Sequence, residues 1–289
     1  MKGLKIVVLA KQVPDTRNVG KDAMKADGTV NRAALPAIFN PEDLNALEQA
    51  LRIKDKIEGT TVHILTMGPG RAAEIIREAM YRGADGGYLL SDRAFAGSDT
   101  LATSYALACA LRNLQTDLLI CGRQAIDGDT AQVGPQVAEK LGLPQVTYAE
   151  DILDITAGKI TIKRRLERGI EVVECPVPCV VTVNGSAAPC PRNARYVMKY
   201  KYARATQEMQ DADEDYLNLL QERPYLKITE WSVNDITCEA QELGLSGSPT
   251  KVKNIESVVF QAKEAKVLEP SDTAIDEMMK ELIVNHTVG

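Results

Sequence analysis

The chain has 289 residues, of which 45% are hydrophobic and 26% are charged, the balance of a globular protein with enough apolar material for a core. Its 34 Lys and Arg residues against 40 Asp and Glu residues give a formal net charge of −6, which argues against a strongly basic nucleic-acid-binding protein. The longest apolar runs have the length of strands and fall far short of the roughly 20 residues that cross a bilayer, so we expect no membrane span and a cytoplasmic protein.

Cysteine and histidine usage narrows the possible chemistry. The six cysteines include no CxxC pair, and the nearest approach to a metal-ligand spacing, Cys175, Cys179 and Cys190, has no histidine nearby. We therefore expect reduced, packed thiols and no metal site. With only two histidines in the chain, a histidine-based acid–base enzyme is also disfavoured.

The first half of the chain alternates between strand and helix patterns. Residues 4–10 form a continuous apolar run, as in a strand that is buried on both faces of a parallel sheet. A polar stretch follows, and Asn40 and Pro41 then provide an N-cap and a first helical residue for a helix that ends by Gly59. The next unit is a strand over 61–66, a turn at 68–70 and a helix over 71–81.

The same alternation continues with a strand over 87–90, a helix over about 98–111, and a fourth strand over 117–121. A further helix is expected to begin near Asp129 and to run to about residue 142. Strands that alternate with helices of 10–15 residues predict a doubly wound parallel sheet that is covered on both faces. The fold class is therefore α/β.

The pattern changes after Pro144. Two alternating segments, 161–166 and 171–174, flank Arg168-Gly169 and predict an antiparallel hairpin, and 178–183 predicts one more buried strand. We assign residues 1–190 to an α/β domain and 191–289 to an extended tail that either wraps a partner or docks across its own body. The tail is expected to end in an amphipathic helix over 271–283. Its cap is Ser271, and its predicted inward positions are Ile275, Met278, Met279 and Leu282.

A ligand site is expected at the carboxyl ends of the parallel strands, where the strand order reverses. The loop over 122–134 is the most suggestive segment there, because the amides at a helix start near Asp129 suit a phosphate. An ordinary capping box, Asp129 with Gln132, explains the same residues. Lys11 follows the first strand directly. Two interpretations of this residue stay open: its ammonium group contacts a phosphate, or it is simply solvated. Neither GxGxxG nor a Walker loop occurs in the sequence.

Several ordered motifs resemble the beta (small) subunit of electron transfer flavoproteins over most of residues 1–200. They are KQVPD (11–15), the helix start at Asn40-Pro41, Gly68-Pro69, RGAD (82–85), GRQAID (122–127) and PCVVT (178–182). The long signature of the family fits at Arg164, Glu167, Gly169, Glu171 and Pro178. Arg168 departs from it, since an acidic residue or glycine is usual there.

The resemblance implies an adenine-nucleotide hydrolase-like fold and a heterodimer with a larger alpha subunit that holds an electron-transferring FAD. The beta chain would not be a stand-alone enzyme; its tail would embrace the alpha subunit, and a nucleotide would lie at the strand ends. The expected cofactor-binding residues are Leu9, Ala10, Lys11, Asn40, Met67, Cys121, Gly122, Arg123, Gln124, Asp127, Gly128, Asp129, Thr130, Ala131, Gln132, Val133 and Gly134.

Two branches of the family differ in that nucleotide. The segments 128–135, 165–169 and 247–250 resemble the branch that binds a second FAD, accepts hydride from NADH and bifurcates electrons between an acyl-CoA dehydrogenase-type flavoprotein and a low-potential acceptor such as ferredoxin or flavodoxin. In this branch either Arg165 or Arg123 would place a cation near the flavin. The alternative is a non-bifurcating beta subunit with a structural AMP.

The resemblance also places the loop that recognises the dehydrogenase at 190–202. Its candidate contacts are Arg192, Arg195, Tyr196, Met198 and Tyr200, residue types that are enriched at interface hot spots, although the anchoring leucine of the family is absent. From pattern alone, residues 198–202 fit a solvated helix face better than an interaction surface. The competing functional classes are a universal-stress-type nucleotide-binding protein and an adenylating enzyme.

Overall fold

A computed structural model of the chain describes residues 3–15, 36–156, 158–184, 191–210, 214–250, 267–285 and 287. Within these ranges, the strands are β1 (Lys5–Leu9), β2 (Gln12–Pro14), β3 (Ala37–Phe39), β4 (Thr61–Met67), β5 (Gly86–Leu90), β6 (Leu118–Gly122), β7 (Gln145–Thr156), β8 (Lys159–Leu166), β9 (Gly169–Pro176), β10 (Cys179–Val183) and β11 (Thr229–Trp231). The α-helices are α1 (Pro41–Lys56), α2 (Ala73–Arg82), α3 (Thr100–Leu114), α4 (Val133–Leu141), α5 (Ala194–Tyr200), α6 (Glu214–Glu222) and α7 (Asp272–Val284).

Nine strands form one sheet in the order β11-β5-β4-β1-β6-β10-β7-β8-β9, and β2 and β3 form a small antiparallel pair. The strands from β11 to β7 are paired in parallel, which confirms the predicted α/β fold with a mostly parallel sheet. The chain moves outward from β1 through β4 to β5 and then returns to the other side of β1 as β6. The strand order therefore reverses at β1, and a ligand crevice is expected between the carboxyl ends of β1 and its neighbours.

The core lies on both faces of this sheet. Residues 6–9 of β1 are all buried: Ile6 and Val8 pack in the layer of α1 and α2, whereas Val7 and Leu9 pack in the layer of α3 and α4. This burial on both faces explains why the strand reads as a continuous apolar run and not as an alternation.

The antiparallel hairpin is confirmed as β8 and β9, with Leu166 opposite Gly169. The sequence analysis did not predict β7, a strand of 12 residues that pairs in parallel with β10 at its start and antiparallel with β8 further on. The register shifts near Tyr148, whose φ of 58° lies in the left-handed region. For a bulky aromatic residue this backbone is an outlier.

Part of the tail docks on the body of the protein. Strand β11 pairs in parallel with β5 and extends the sheet, and Leu226 and Ile228 are each 1% exposed within the main core. An ion pair of 2.6 Å between Arg77 of α2 and Glu208 fastens the same region. The division of the chain at residue 190 stays a prediction.

Helix α7 begins after its predicted cap, since the Ser271 hydroxyl accepts a hydrogen bond from the Ala274 N–H. The prediction that four side chains of this helix point into the core of the same chain was wrong. No side chain of α7 is buried, and Ile275 and Met279 are 49% and 39% exposed. No helix in the described residues is long and apolar enough to cross a membrane.

Candidate functional site

A cavity of about 390 Å³ lies at the carboxyl ends of β1, β4 and β6. The cavity is walled by the loops that follow these strands and by the starts of α3 and α4. Its lining residues are Leu9, Ala10, Lys11, Asp43, Leu65, Met67, Ser98, Asp99, Thr100, Thr103, Leu107, Cys121, Gly122, Arg123, Gln124, Ala125, Gly128, Asp129, Thr130, Ala131, Gln132, Val133 and Gly134. It therefore occupies the crevice at which the strand order reverses.

The structure brings most of the predicted cofactor-binding residues together in this cavity, and the two exceptions, Asn40 and Asp127, contact residues of its lining. The Asn40 amide donates to the Gln124 carbonyl (2.9 Å), and its Oδ1 accepts from the Ile126 N–H (3.2 Å). Asp127 pairs with Lys11 at 2.8 Å. Both residues hold the loop after β6, and the ammonium of Lys11 has a carboxylate partner here.

The first turn of α1 fixes the two loops that form the cavity floor. Asp43 accepts the Lys11 N–H on one carboxylate oxygen (2.9 Å) and the Gly122 N–H on the other (3.0 Å). Glu42 accepts the Gln124 N–H (3.0 Å) and pairs with Arg123 (3.1 Å). The sequence analysis did not assign these acidic residues to the site, because acidic residues in a first helical turn are common for electrostatic reasons alone.

Asp43 is the most perturbed of these groups. Burial raises the pKa of Asp43 to about 7, although the N–H groups of Lys11 and Gly122 and the side chain of Asn40 act in the opposite direction. A substituent on Gly122 would collide with Asp43 and with the backbone of Glu42, so only glycine allows this close approach.

The predicted start of the helix after β6 was wrong. Helix α4 begins at Val133 and not near Asp129, and its N-cap Gln132 provides no side-chain cap. Asp129 and Ala131 have φ values of 49° and 52°, and a left-handed backbone cannot continue into a right-handed helix. The capping-box explanation is also wrong, since the Asp129 carboxylate accepts the Gln124 amide (2.9 Å) instead.

The backbone of this loop resembles an anion-binding nest. A left-handed residue, Ala131, precedes Gln132 in the right-handed helical region, a combination that turns successive N–H groups toward one point. Within the described part of the chain, nothing accepts a hydrogen bond from the backbone N–H groups of residues 130–134. The residues that carry these donors line the cavity, and they lead into the uncapped start of α4, an arrangement that is suited to phosphate.

The start of α3 forms a wall that sequence reasoning did not assign to the site. Asp99 is the N-cap of α3, and its carboxylate accepts the N–H groups of Leu101 (2.9 Å) and Ala102 (3.1 Å). The Thr100 hydroxyl donates to Gln132 Oε1 (2.8 Å) and joins this wall to the start of α4. The available sequence signal was the Ser-Asp-Thr capping pattern before a helix.

The two candidate arginines occupy different places. Arg123 lines the cavity, pairs with Glu42 and lies 5.9 Å from the centroid of the Tyr148 ring. Arg165 forms an ion pair of 2.7 Å with Glu150 on the hairpin side and does not line the cavity. The geometry therefore favours Arg123 as the cavity's cation.

The predicted recognition residues lie mostly on a helix, α5, and not on a loop. Arg195 is exposed, Tyr196 is half-buried and Met198 is 65% exposed. Arg192, just before the helix, pairs with Glu78 of α2 (2.7 Å). Tyr200 is 5% exposed and belongs to the core, so its ring stabilises the fold and is not presented at the surface.

Comparison with known proteins decides the family. The sequence-family model of the electron transfer flavoprotein domain matches residues 27–212 of the chain. The chain belongs to the electron transfer flavoprotein family. The beta subunit of the electron transfer flavoprotein of Megasphaera elsdenii is 40% identical over 99% of this chain and 100% of its own length. The resemblance that the motifs predicted is therefore confirmed.

Two further relatives of this electron transfer flavoprotein chain carry more specific names. Subunit CarD of the caffeyl-CoA reductase-Etf complex of Acetobacterium woodii is 43% identical over 86% of each chain. The gamma electron transfer subunit of the acryloyl-CoA reductase of Anaerotignum propionicum is 50% identical over 65% of this chain and 70% of its own length. The chain functions as an electron transfer flavoprotein beta subunit, by its similarity to full-length beta subunits.

Proposed function

We propose that the cavity holds the adenine-nucleotide part of an FAD and that the chain works as one subunit of a bifurcating heterodimer. In this proposal a larger alpha subunit carries a second FAD, and NADH is the electron donor. One acceptor is an acyl-CoA dehydrogenase-type flavoprotein, and the other is a low-potential carrier such as ferredoxin or flavodoxin. The alternative is a non-bifurcating beta subunit with a structural AMP in the same cavity.

The main support for a nucleotide in the cavity is the set of backbone N–H groups over residues 130–134 that have no hydrogen-bond acceptor in the described part of the chain. Backbone strain such as the left-handed φ at Ala131 costs about 1–3 kcal/mol and persists only where the surroundings impose it, often at ligand sites. Apolar side chains on the same cavity, among them Leu65, Met67 and Leu107, offer a surface for a flat base. The donor set and the lining thus fit a phosphorylated, planar ligand.

Two features support FAD over AMP. Ala131 and Val133 are small side chains beside the nest and leave room for a pyrophosphate. The Arg123 guanidinium lies on the same cavity wall and, although it is paired with Glu42 (3.1 Å), it has further N–H groups that can donate to a flavin. The names of the relatives from the caffeyl-CoA reductase-Etf complex and the acryloyl-CoA reductase support a partner that acts on acyl-CoA compounds.

When bound, a flavin supplies the electron-carrying chemistry of the site. The chain's own residues bind and orient it: the N–H groups of 130–134 hold phosphate, and Asp43 and Asn40 fix the loops around it. Lys11 and Asp127 neutralise each other, so neither adds an unbalanced charge beside the phosphate site. The buried thiol of Cys121 has its pKa raised by burial and stays protonated and unreactive on the cavity wall.

The deciding measurement is the nucleotide content of the purified alpha–beta complex after denaturation. Two FAD per heterodimer and no AMP are expected. One FAD with one AMP would replace the bifurcating function by the alternative, and a complex without any adenine nucleotide in the beta chain would overturn both. Reduction of the complex by NADH, followed by visible absorbance, tests the electron donor separately.

A further inference from the structure

A segment of the tail fastens the α3 wall of the cavity. The Asp99 N–H donates to Ser248 Oγ (2.8 Å), and Asp99 Oδ2 accepts the Thr250 N–H (3.0 Å). The other carboxylate oxygen caps α3 through Leu101 and Ala102. One aspartate therefore joins the start of a cavity helix to residues that lie about 150 positions further along the chain.

The tail approaches this wall closely enough to require glycine. Residues 244–250, here called the tail clasp, contain Gly244 with a φ of +54°, and a side chain there would collide with the carbonyl oxygen of Ala94. Ser248 is 3% exposed, and its hydroxyl donates to the Gly244 carbonyl (2.6 Å). Leu245 in turn packs against Gly97. The clasp is thus a packed contact and not a passing loop.

The clasp reaches the nest through a short series of contacts. Ser248 and Thr250 hold Asp99, and the next residue, Thr100, donates to Gln132 Oε1 (2.8 Å). Gln132 is the N-cap residue of α4. Asp99, Thr100 and Gln132 line the cavity, whereas Ser248 and Thr250 do not. The clasp therefore contacts the cavity wall from behind.

The Thr250 N–H also stabilises the negative charge of the Asp99 carboxylate. Burial opposes the ionisation of Asp99, but the N–H groups of Ala102, Thr250 and Leu101 together hold the pKa of its carboxyl below the ordinary value. The carboxylate is thus negative and faces a cavity that is suited to an anionic ligand. Without the Thr250 N–H, Oδ2 would lose its donor and repel such a ligand more strongly.

We infer that Ser248 and Thr250 are positioning residues for the nucleotide cavity: they fix Asp99 and, through Thr100 and Gln132, the anion-binding loop. This inference rests on the proposed nucleotide site. By linkage, a nucleotide in the cavity strengthens the docking of the clasp as much as the clasp strengthens nucleotide binding. The docking of residues 244–250 of the tail is then coupled to cavity occupancy.

The test compares Thr250→Pro, which removes the N–H, with Thr250→Ala, which keeps it. Each variant is prepared as the complex with its alpha subunit, stripped of nucleotide and titrated with FAD and with AMP. Thr250→Pro should raise the dissociation constant of the nucleotide about 10-fold, and the dissociation constant of Thr250→Ala should stay within about 2-fold of the wild-type value. Because Thr250 is exposed, neither change should alter the melting temperature of the nucleotide-free complex much.

Ser248 provides a second, independent pair. Ser248→Ala should weaken binding, and Ser248→Thr should restore part of it. Ser246→Ala should match the wild type, because the Ser246 hydroxyl donates to the Leu243 and Ala240 carbonyls and not to Asp99. Bound nucleotide should also slow hydrogen exchange over 244–250 in the wild type and in Thr250→Ala but not in Thr250→Pro.

The outcomes separate the two claims. Equal affinities for the wild type, Thr250→Pro and Ser248→Ala would overturn this inference and leave the proposed function intact. A wild-type complex whose beta chain binds neither nucleotide would overturn the proposed function and this inference with it. If Ser248→Ala does not fold, the exposed Thr250 pair still decides.

Discussion

Asp43 shows how a single buried carboxylate shapes the cavity floor. It accepts the N–H groups of Lys11 and Gly122 and so ties the loop after β1 to the loop after β6. A buried carboxylate that accepts two hydrogen bonds gives each loop a defined place, at the expense of its own desolvation. The ionisation of this group should therefore be visible in the stability of the protein.

The pH dependence of Asp43 has a definite sign. Its pKa is raised from 3.8 to about 7 on folding, so between these values the folded chain holds a proton that the unfolded chain releases. The stabilisation is complete below about 3.8 and is lost as the pH rises through 7. On this shift it amounts to about 4 kcal/mol.

Comparison of Asp43→Asn with the wild type isolates this effect. Urea unfolding from pH 4 to pH 8 should show the wild type losing its advantage over Asp43→Asn as the pH rises. Asp55→Asn, an exposed position on the same helix, is the control and should differ from the wild type by a constant amount. A pH-independent difference between Asp43→Asn and the wild type would contradict the prediction.

The left-handed backbone at Ala131 predicts a contrast between two substitutions. Ala131→Gly adopts a φ of 52° without strain and should retain the nest and its nucleotide affinity. Ala131→Val, which is β-branched, should lower the free energy of unfolding by about 1–3 kcal/mol and weaken nucleotide binding about 10-fold. Chemical denaturation measures the free energy of unfolding, and titration of the stripped complex measures nucleotide affinity. Equal values of both quantities for the two variants would exclude a strained backbone at Ala131.

At the level of the elements, exposure separates the side chains of α5 by role. Tyr200 is buried in the core, with the Tyr225 ring edge-on at 5.9 Å, whereas Met198 is 65% exposed. We predict that Met198→Ala raises the KM for the dehydrogenase partner about 10-fold with no change in melting temperature. Ile170→Ala, at a 50% exposed position on the hairpin, is the matched control. An unchanged KM for Met198→Ala would contradict the prediction and show that α5 is a solvated helix face without a role in partner binding.

The elements that sequence could predict are those with a clear period or a clear boundary. Strand β1 is apolar from Ile6 to Leu9 because both its faces are buried there, and α1 begins at Asn40-Pro41 as its capping pattern predicts. Strand β7 had no such signal, since it changes partner near Tyr148 and mixes buried with exposed residues. The true start of α4 was missed for a related reason: nothing in an alanine indicates a left-handed φ.

The same distinction applies to the site. The loops after the strands were predictable, because the topology places the carboxyl ends of parallel strands together. The α3 wall was not, since Asp99 and Thr100 read as an ordinary helix cap until Ser248 and Gln132 are seen beside them. Contacts between segments that are far apart in sequence leave no local pattern.

For the whole molecule, the most informative feature is α7, none of whose side chains is buried against the part of the chain that the structure describes. Ile275, Met279 and Ile283 are 49%, 39% and 54% exposed and lie four residues apart, so they form one apolar stripe along α7. From the sequence we expect no core within residues 1–190 for the apolar tail residues Leu217, Leu219, Leu220, Val258, Val259 and Phe260. That expectation was wrong for Leu219 and Leu220, which pack against the core. Val258, Val259 and Phe260 lie outside the described residues.

A stripe of this kind on a monomer is an aggregation hazard unless a partner covers it. We therefore predict that the chain expressed alone aggregates, and that co-expression with its alpha subunit keeps it in solution. Replacing Ile275, Met279 and Ile283 by Glu should raise the solubility of the lone chain and abolish co-purification with the alpha subunit. Glu277→Lys, on the opposite, polar face of the same helix, should do neither. A wild-type chain that stays monomeric at high concentration, or a triple variant that still binds the alpha subunit, would show that α7 does not provide this interface.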